Sequence, residues 1–272
     1  MSSLLAPLLG WLALGAAQPP ADTAEIDPTI ALWRLDCGHI SETPPAATPS
    51  PWRREALPVG CYLVRHGSRY LLWDAGLSAR LVGNPQPTMR LDRTIADQLA
   101  QIGVRPDQIE FLGLSHYHGD HTGQASVFPQ ARLLVGAADL AAFRSPEPPQ
   151  GVAPTHLRPW LEGGAPLTAL VEDHDVFGDG RVTILTTPGH TPGHLALMVK
   201  LAGGTVMLTG DLWLSHAEAL KDDMPDFNTS RAETLASRQR FGRLAWRENA
   251  TIIVQHERAD VDLLPIFPQA AS

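Results

Sequence analysis

Four residues able to bind a metal stand within six positions in Ser115-His116-Tyr117-His118-Gly119-Asp120-His121, directly behind the apolar run Ile109–Leu114. The run reads as a strand. A sharp turn behind it lets His116 and His118 point to one side and converge on one ion. Asp120 and His121 lie past the turn and can reach a second ion. A borderline-soft ion such as zinc takes imidazole nitrogens and carboxylate oxygens, and a catalytic site leaves one position open for water. One or two histidines behind a strand would read as polar surface loop; four ligand types in this order do not. Gly119, lacking a side chain, leaves room beside the metals.

Three later strands end the same way. Arg181–Thr187 alternates with β-branched residues and runs into Pro188-Gly189-His190-Thr191-Pro192-Gly193-His194. Proline and glycine on each side of His190 fix a tight loop that holds an imidazole at the strand's end. His190 is therefore the third nitrogen for the first metal. His194 has the same chemistry but is one ligand too many, and it takes a supporting role. Thr205–Thr209 ends in Gly210-Asp211, where a carboxylate can offer its two oxygens to two ions. A turn aspartate is the bland alternative, and the two preceding motifs favour ligation. Thr251-Ile252-Ile253-Val254-Gln255-His256 places His256 to complete the second ion.

The rest of the chain is consistent with one globular catalytic domain over residues 29–272. The 272 residues are long enough to bury a sizeable core. A net charge of −8, with scattered Lys and Arg, leaves no basic footprint for nucleic acid. Residues 1–28 read as a signal peptide and linker: Ser3–Ala17 is apolar and closes on Gly15-Ala16-Ala17, a small-residue cleavage site. Export to the periplasm or outside the cell follows from that reading. The n-region lacks Lys and Arg, which keeps a cytoplasmic extension as the alternative. The run is too short and too interrupted by Pro7 and Gly10 to span a membrane.

Only two cysteines occur, Cys37 and Cys61; they can pair or stand as two buried thiols. Ile30–Leu35, Gly60–Arg65, Tyr70–Trp73 and Ala131–Val135 read as strands, with a hairpin turn at Gly67-Ser68. Thr94–Ile102, stopped by Gly103, and Ala137–Phe143 read as helices. Pro44–Pro51 is a loop. Ser145–Ala165 is too long for an ordinary connection and reads as a functional loop or lid. Its Trp160 either lies over a substrate or anchors the loop.

The order His116, His118, Asp120, His121, then His190, Asp211 and His256 resembles the metallo-β-lactamase-fold hydrolases. The resemblance implies an α/β fold, an αββα sandwich of two mixed β-sheets flanked by helices, with the metals at one edge. It implies two zinc ions, one held by His116, His118 and His190, the other by Asp120, His121 and His256, with Asp211 and a hydroxide bridging them. Within that superfamily the chain resembles the N-acyl-homoserine lactonase group after about residue 30. Leu35-Asp36-Cys37-Gly38, Leu72–Gly76, Asp175–Gly180 and Leu264–Pro268 carry that narrower likeness. It departs at Leu214, where lactonases of this type carry a tyrosine that polarises the lactone carbonyl. Tyr117, Ser215 or His216 would have to replace it, or the substrate differs.

The expectation is a di-zinc hydrolase that opens an acyl-homoserine-lactone-type ring by attack of the metal-bridging hydroxide. Zinc acts as the oxyanion hole, and Asp120 carries the proton to the leaving alkoxide. A small acyl ester or lactone is the partner, and a homodimer is compatible with the sequence. A glyoxalase II-like thioesterase is the alternative on the same ligands. A β-lactamase, a phosphodiesterase or a non-catalytic metal-binding protein stands further off, and cobalt, manganese or iron suits the same ligands.

Overall fold

Alternation along the strands decides how the chain layers. The computed structural model describes residues 29–41 and 56–272, so the expected export segment 1–28 and the loop Pro44–Pro51 lie outside the described residues. The first seven strands are β1 (Ile30–Ile40), β2 (Leu57–His66), β3 (Arg69–Trp73), β4 (Met89–Arg90), β5 (Phe111–Gly113), β6 (Arg132–Gly136) and β7 (Leu167–Leu170). They form one sheet in the order β4-β1-β2-β3-β5-β6-β7, antiparallel from β1 to β3 and parallel from β3 to β7. β8 (His174–Asp175), β9 (Val182–Thr186), β10 (Leu195–Leu201), β11 (Gly204–Leu208) and β12 (Thr251–Ile253) form a second sheet in the order β12-β11-β10-β9-β8. It is antiparallel except for the β11–β12 pair. Both sheets are mixed, as expected.

The helices are α1 (Ile95–Gln101), α2 (Gly119–Thr122), α3 (Ala137–Phe143), α4 (Arg158–Leu161), α5 (His216–Lys221), α6 (Arg231–Arg247) and α7 (Arg258–Val261). Because strand side chains alternate between faces, Ile30, Leu32, Tyr62, Val64, Leu71 and Trp73 face the second sheet's Ile184, Leu197 and Leu208. Their neighbours Trp33, Leu35, Leu63 and Leu72 face outward onto Ile95 and Leu99 of α1, Leu140 and Phe143 of α3, and Trp160 of α4. On the far side, Leu185, Ala196, Met198 and Met207 pack against Phe241 and Ala245 of α6. Three apolar layers between four layers of structure make the αββα sandwich.

Local sequence sets several boundaries. Thr94 caps α1 in a reciprocal capping box with Asp97, and Gly103 takes φ +72° just past its end. The β2–β3 hairpin turns at Gly67, with φ +60°. The two cysteines form a disulfide that joins β1 to β2, Cα to Cα 5.8 Å. Of the two readings open for them, pairing is the one the fold adopts.

Candidate metal centre

Four strands deliver the candidate ligands to one edge of the sandwich. His116 and His118 follow β5. His118 caps α2, which puts Asp120 and His121 in that helix's single turn. His190 follows β9, Asp211 follows β11, and His256 follows β12. Strands β9, β11 and β12 run in the same direction, so their trailing loops converge where β5 ends.

The atoms fall into two groups. His116 Nε2 lies 2.9 Å from His118 Nδ1, and His190 Nε2 lies 3.1 Å from the same nitrogen. Asp120 Oδ2 lies 3.6 Å from both His121 Nε2 and His256 Nε2. Asp211 stands between them. Its Oδ2 is 3.6 Å from His116 Nε2 and 3.5 Å from His190 Nε2, while its Oδ1 is 3.2 Å from His121 Nε2 and 3.1 Å from His256 Nε2. Within each of the sets His116/His118/His190/Asp211 and Asp120/His121/His256, one ligand atom per residue lies within 4.8 Å of the others, so either set could hold an ion.

The donor chemistry fits a pair of divalent transition-metal ions. His121 Nε2 and Asp211 Oδ1 are buried and without hydrogen-bond partners; such groups cost roughly 1–3 kcal/mol each unless something compensates. Imidazole nitrogens with carboxylate oxygens are what zinc accepts. The two groups also differ electrically. Burial holds His116 well below its usual range and His190 down at about 3, leaving neutral rings with lone pairs to give. Burial opposes charge on His121 and His256 too, but carboxylates outweigh it. Asp211, Asp120 and Asp74 hold His121 well above its usual range, and Asp211 and Asp120 lift His256 to about 9. Burial likewise opposes ionisation of Asp211, and the facing His256, His121 and His116 keep it an anion. An ion bound by these two rings would have to displace protons from them, because only the neutral imidazole has a lone pair to give.

Buried hydrogen bonds hold the rings. Asp74, a left-handed residue (φ +61°) behind β3, accepts from the Ser115 N–H at 2.7 Å and lies 2.9 Å from both Ser115 Oγ and His121 Nδ1. Gln255 links the Asp74 carboxylate to the Gly210 N–H. His256 Nδ1 lies 2.8 Å from the Pro58 carbonyl. His194 sits as expected beside the ligands: its Nε2 accepts from the Asp211 N–H at 3.0 Å, and Thr187 takes its other nitrogen. Asp139, in the first turn of α3, accepts from Tyr117 N–H, Thr191 Oγ1 and Gly193 N–H, tying together the loops of His116 and His190. Burial pushes its carboxyl up to about 6 against those three bonds. Asp74, Gln255 and Asp139 carry no motif of their own; only Asp74 stood inside a phrase of the family resemblance.

A cavity of about 800 Å³ opens onto the cluster, inside the usual range for ligand pockets. Tyr117 and Leu214 line it, as do Pro149, Gln150 and Gly151 of the long loop. That loop presses on the site: a Cβ at Gly151 (φ +88°) would come within 2.7 Å of the His118 ring. Three residues considered for substrate contact do not line the cavity. Trp160 is buried in the core and donates through Nε1 to the Ala131 carbonyl, so it anchors the loop. Ser215 caps α5 by accepting from Glu218 N–H. His216 turns away to Asp260, 2.9 Å distant. Phe227 and Asp226 reach the cavity from a segment with no sequence motif.

The model of the metallo-beta-lactamase superfamily matches residues 54–256. The chain belongs to that superfamily. It is 29% identical over 230 residues to the N-acyl homoserine lactonase AttM of Azorhizobium caulinodans, covering 79% of this chain and 86% of that protein. A crystal structure of a quorum-quenching N-acyl homoserine lactone lactonase superposes with TM-score 0.73 at 25% identity, covering 90% of this chain and 100% of that one. AidC, a dizinc quorum-quenching lactonase solved with its product N-hexanoyl-L-homoserine, matches at TM-score 0.64 and 18% identity, covering 89% of each chain. At that identity it speaks for the fold alone.

Proposed function

We propose that the chain opens the ring of N-acyl homoserine lactones with two zinc ions, held by His116, His118 and His190 and by Asp120, His121 and His256, with Asp211 shared. At the coarser level it is a metal-dependent hydrolase acting on ester bonds. The observation that carries the reading is Asp211, one oxygen turned to each group of nitrogens. Similarity to lactonases along most of the chain supports the substrate class.

Ions held there supply Lewis acidity, polarising an ester carbonyl and lowering the pKa of water. The protein's own groups do the rest. His194, Asp74 and Pro58 fix the donor atoms, which limits reorganisation during reaction. Asp120, half-buried and facing the cavity, is placed to take a proton and hand it to the ring oxygen as the C–O bond breaks. Water adds across that bond, and the product is the ring-opened hydroxy acid. Leu214 offers no hydrogen bond to the carbonyl, whereas Tyr117 lines the cavity with its hydroxyl-bearing side chain.

Export belongs to the proposal as well. The Cys37–Cys61 bridge supports it, because such bridges persist in oxidising compartments. Among the described residues no helix is long and apolar enough to cross a membrane.

The purified zinc-loaded protein should be assayed against acyl homoserine lactones, aryl esters, a glutathione thioester and a β-lactam. Lactone opening should exceed the other activities. Rapid thioester cleavage beside inert lactones would sink the lactonase reading while leaving the metal centre intact.

A further inference from the structure

Phe227 is a large apolar side chain left 59% exposed in a molecule that buries most others. Its exposed surface lines the cavity over the metal centre. The ring stands edge-on to both His118 and His190, centroids 5.7 Å away in each case, so it overhangs the first group of nitrogens.

The backbone on either side of the ring is tied down. The Asn228 N–H donates to the Pro225 carbonyl in a turn, and Asn228 Oδ1 accepts from Thr234 Oγ1 at 3.0 Å. Thr229 donates to the His190 carbonyl through both its N–H and Oγ1, and the Ser230 N–H donates to the Gly189 carbonyl at 2.8 Å. Ser230 then caps α6. The strap is stapled to the very loop that presents His190, so Phe227 keeps a fixed place relative to that ligand.

Gly119 leaves open space beside the site among the described residues. A Cβ at Gly119 would meet nothing nearer than the Gly151 carbonyl, at 4.0 Å. Between that open side and Phe227 the wall continues through Ile40, Leu57, Leu214 and Pro149. Among the described residues no Lys or Arg lines this wall, and its polar side chains apart from the metal cluster are Tyr117, Gln150, Asp226 and Thr229. A hydrocarbon chain is the occupant that the apolar part of this surface rewards, because covering apolar area releases water.

We propose that Phe227 grips the hydrocarbon acyl chain of the substrate over His118 and His190 and sets the preference for chain length. The inference rests on the ester-hydrolase reading above and deepens it. Each methylene covered against an apolar wall contributes up to about a fourfold gain in affinity. Wild-type kcat/KM should climb along a series from butanoyl to dodecanoyl homoserine lactone. Phe227→Ala should lower kcat/KM by about tenfold or more for the long chains and less than about threefold for butanoyl, mainly through KM. Phe227→Leu should recover most of the loss. Metal content should remain as in wild type in both variants, which separates loss of grip from damage to the centre.

The same variants should be run on p-nitrophenyl esters from acetate to decanoate. A wild type inert to lactones, with a chain-length dependence on aryl esters that Phe227→Ala flattens, would overturn the lactonase reading and keep Phe227 in its role. Equal losses at every chain length in both series, or no loss, would overturn the role of Phe227 and leave the lactonase reading standing.

Discussion

The metal edge and the outer wall of the cavity are built on opposite principles. At the edge, His116, His121, His190, Asp211 and His256 are buried, and further buried groups (Asp74, His194, Gln255) hold them in place. At the wall, Leu214, Pro149 and Phe227 present apolar surface on loops, with little around them to dictate identity. Ligand atoms must sit within a few tenths of an ångström of their targets, which only a rigid scaffold achieves. A hydrocarbon chain needs area rather than angle, so a wall can change residue by residue without disturbing the centre. Leu214, where the family resemblance leads one to expect a tyrosine, is such a position.

The contrast breaks most severely at Asp211. Asp211→Asn leaves the fold but removes the charge shared by both ion positions. Activity should fall on the order of a thousandfold, with fewer than two metals retained per chain by elemental analysis. Retention of both metals and most activity would show that Asp211 is an ordinary turn residue.

A smaller effect is expected one layer back. Asp74→Asn keeps the shape but loses the carboxylate beside His121 Nδ1; metal affinity should drop roughly 10–100-fold in a chelator competition. A drop no larger than that of a wall variant would erase the distinction between edge and wall.

The mildest prediction concerns Asp139 and pH. Its folded-state pKa, pushed up to about 6, lies above the ordinary 3.8. Its proton therefore adds stability that is fully present below the ordinary value and is lost as pH rises through about 6. In urea unfolding of the metal-free protein, wild type should lose on the order of 1–3 kcal/mol relative to Asp139→Asn between about pH 4 and 7. A pH-independent difference would mean that the three donors keep the carboxylate ionised throughout.

The same contrast explains what the sequence makes legible. Ligands cluster by chemistry: His116 to His121 announce themselves, and His190, Asp211 and His256 become readable as further strand ends. Layering followed from the family resemblance rather than from the residues, because β2 is buried on both faces and shows no polar–apolar alternation. Helix α6 was not legible, since its buried face carries Thr234, Ser237 and Arg238 beside Phe241 and Ala245. Two of those polar groups are satisfied by distant carbonyls, Ser237 by Pro188 and Arg238 by Leu212, which no local pattern encodes. Trp160 left two readings open, substrate contact or loop anchor, because a proline-rich loop does not reveal whether it folds back on the core. Phe227 was silent for the converse reason: its meaning depends on His118 and His190, far away in the chain.

The Cys37–Cys61 bridge has a practical consequence for handling the protein. It staples β1 to β2, whose outer ends, Ile40 and Leu57, form part of the cavity wall. Dithiothreitol in a purification buffer would act on the molecule twice, cutting that staple and competing as a soft dithiol for the ions themselves. Inactivity in a preparation made under reducing conditions would then report on the buffer rather than on the enzyme.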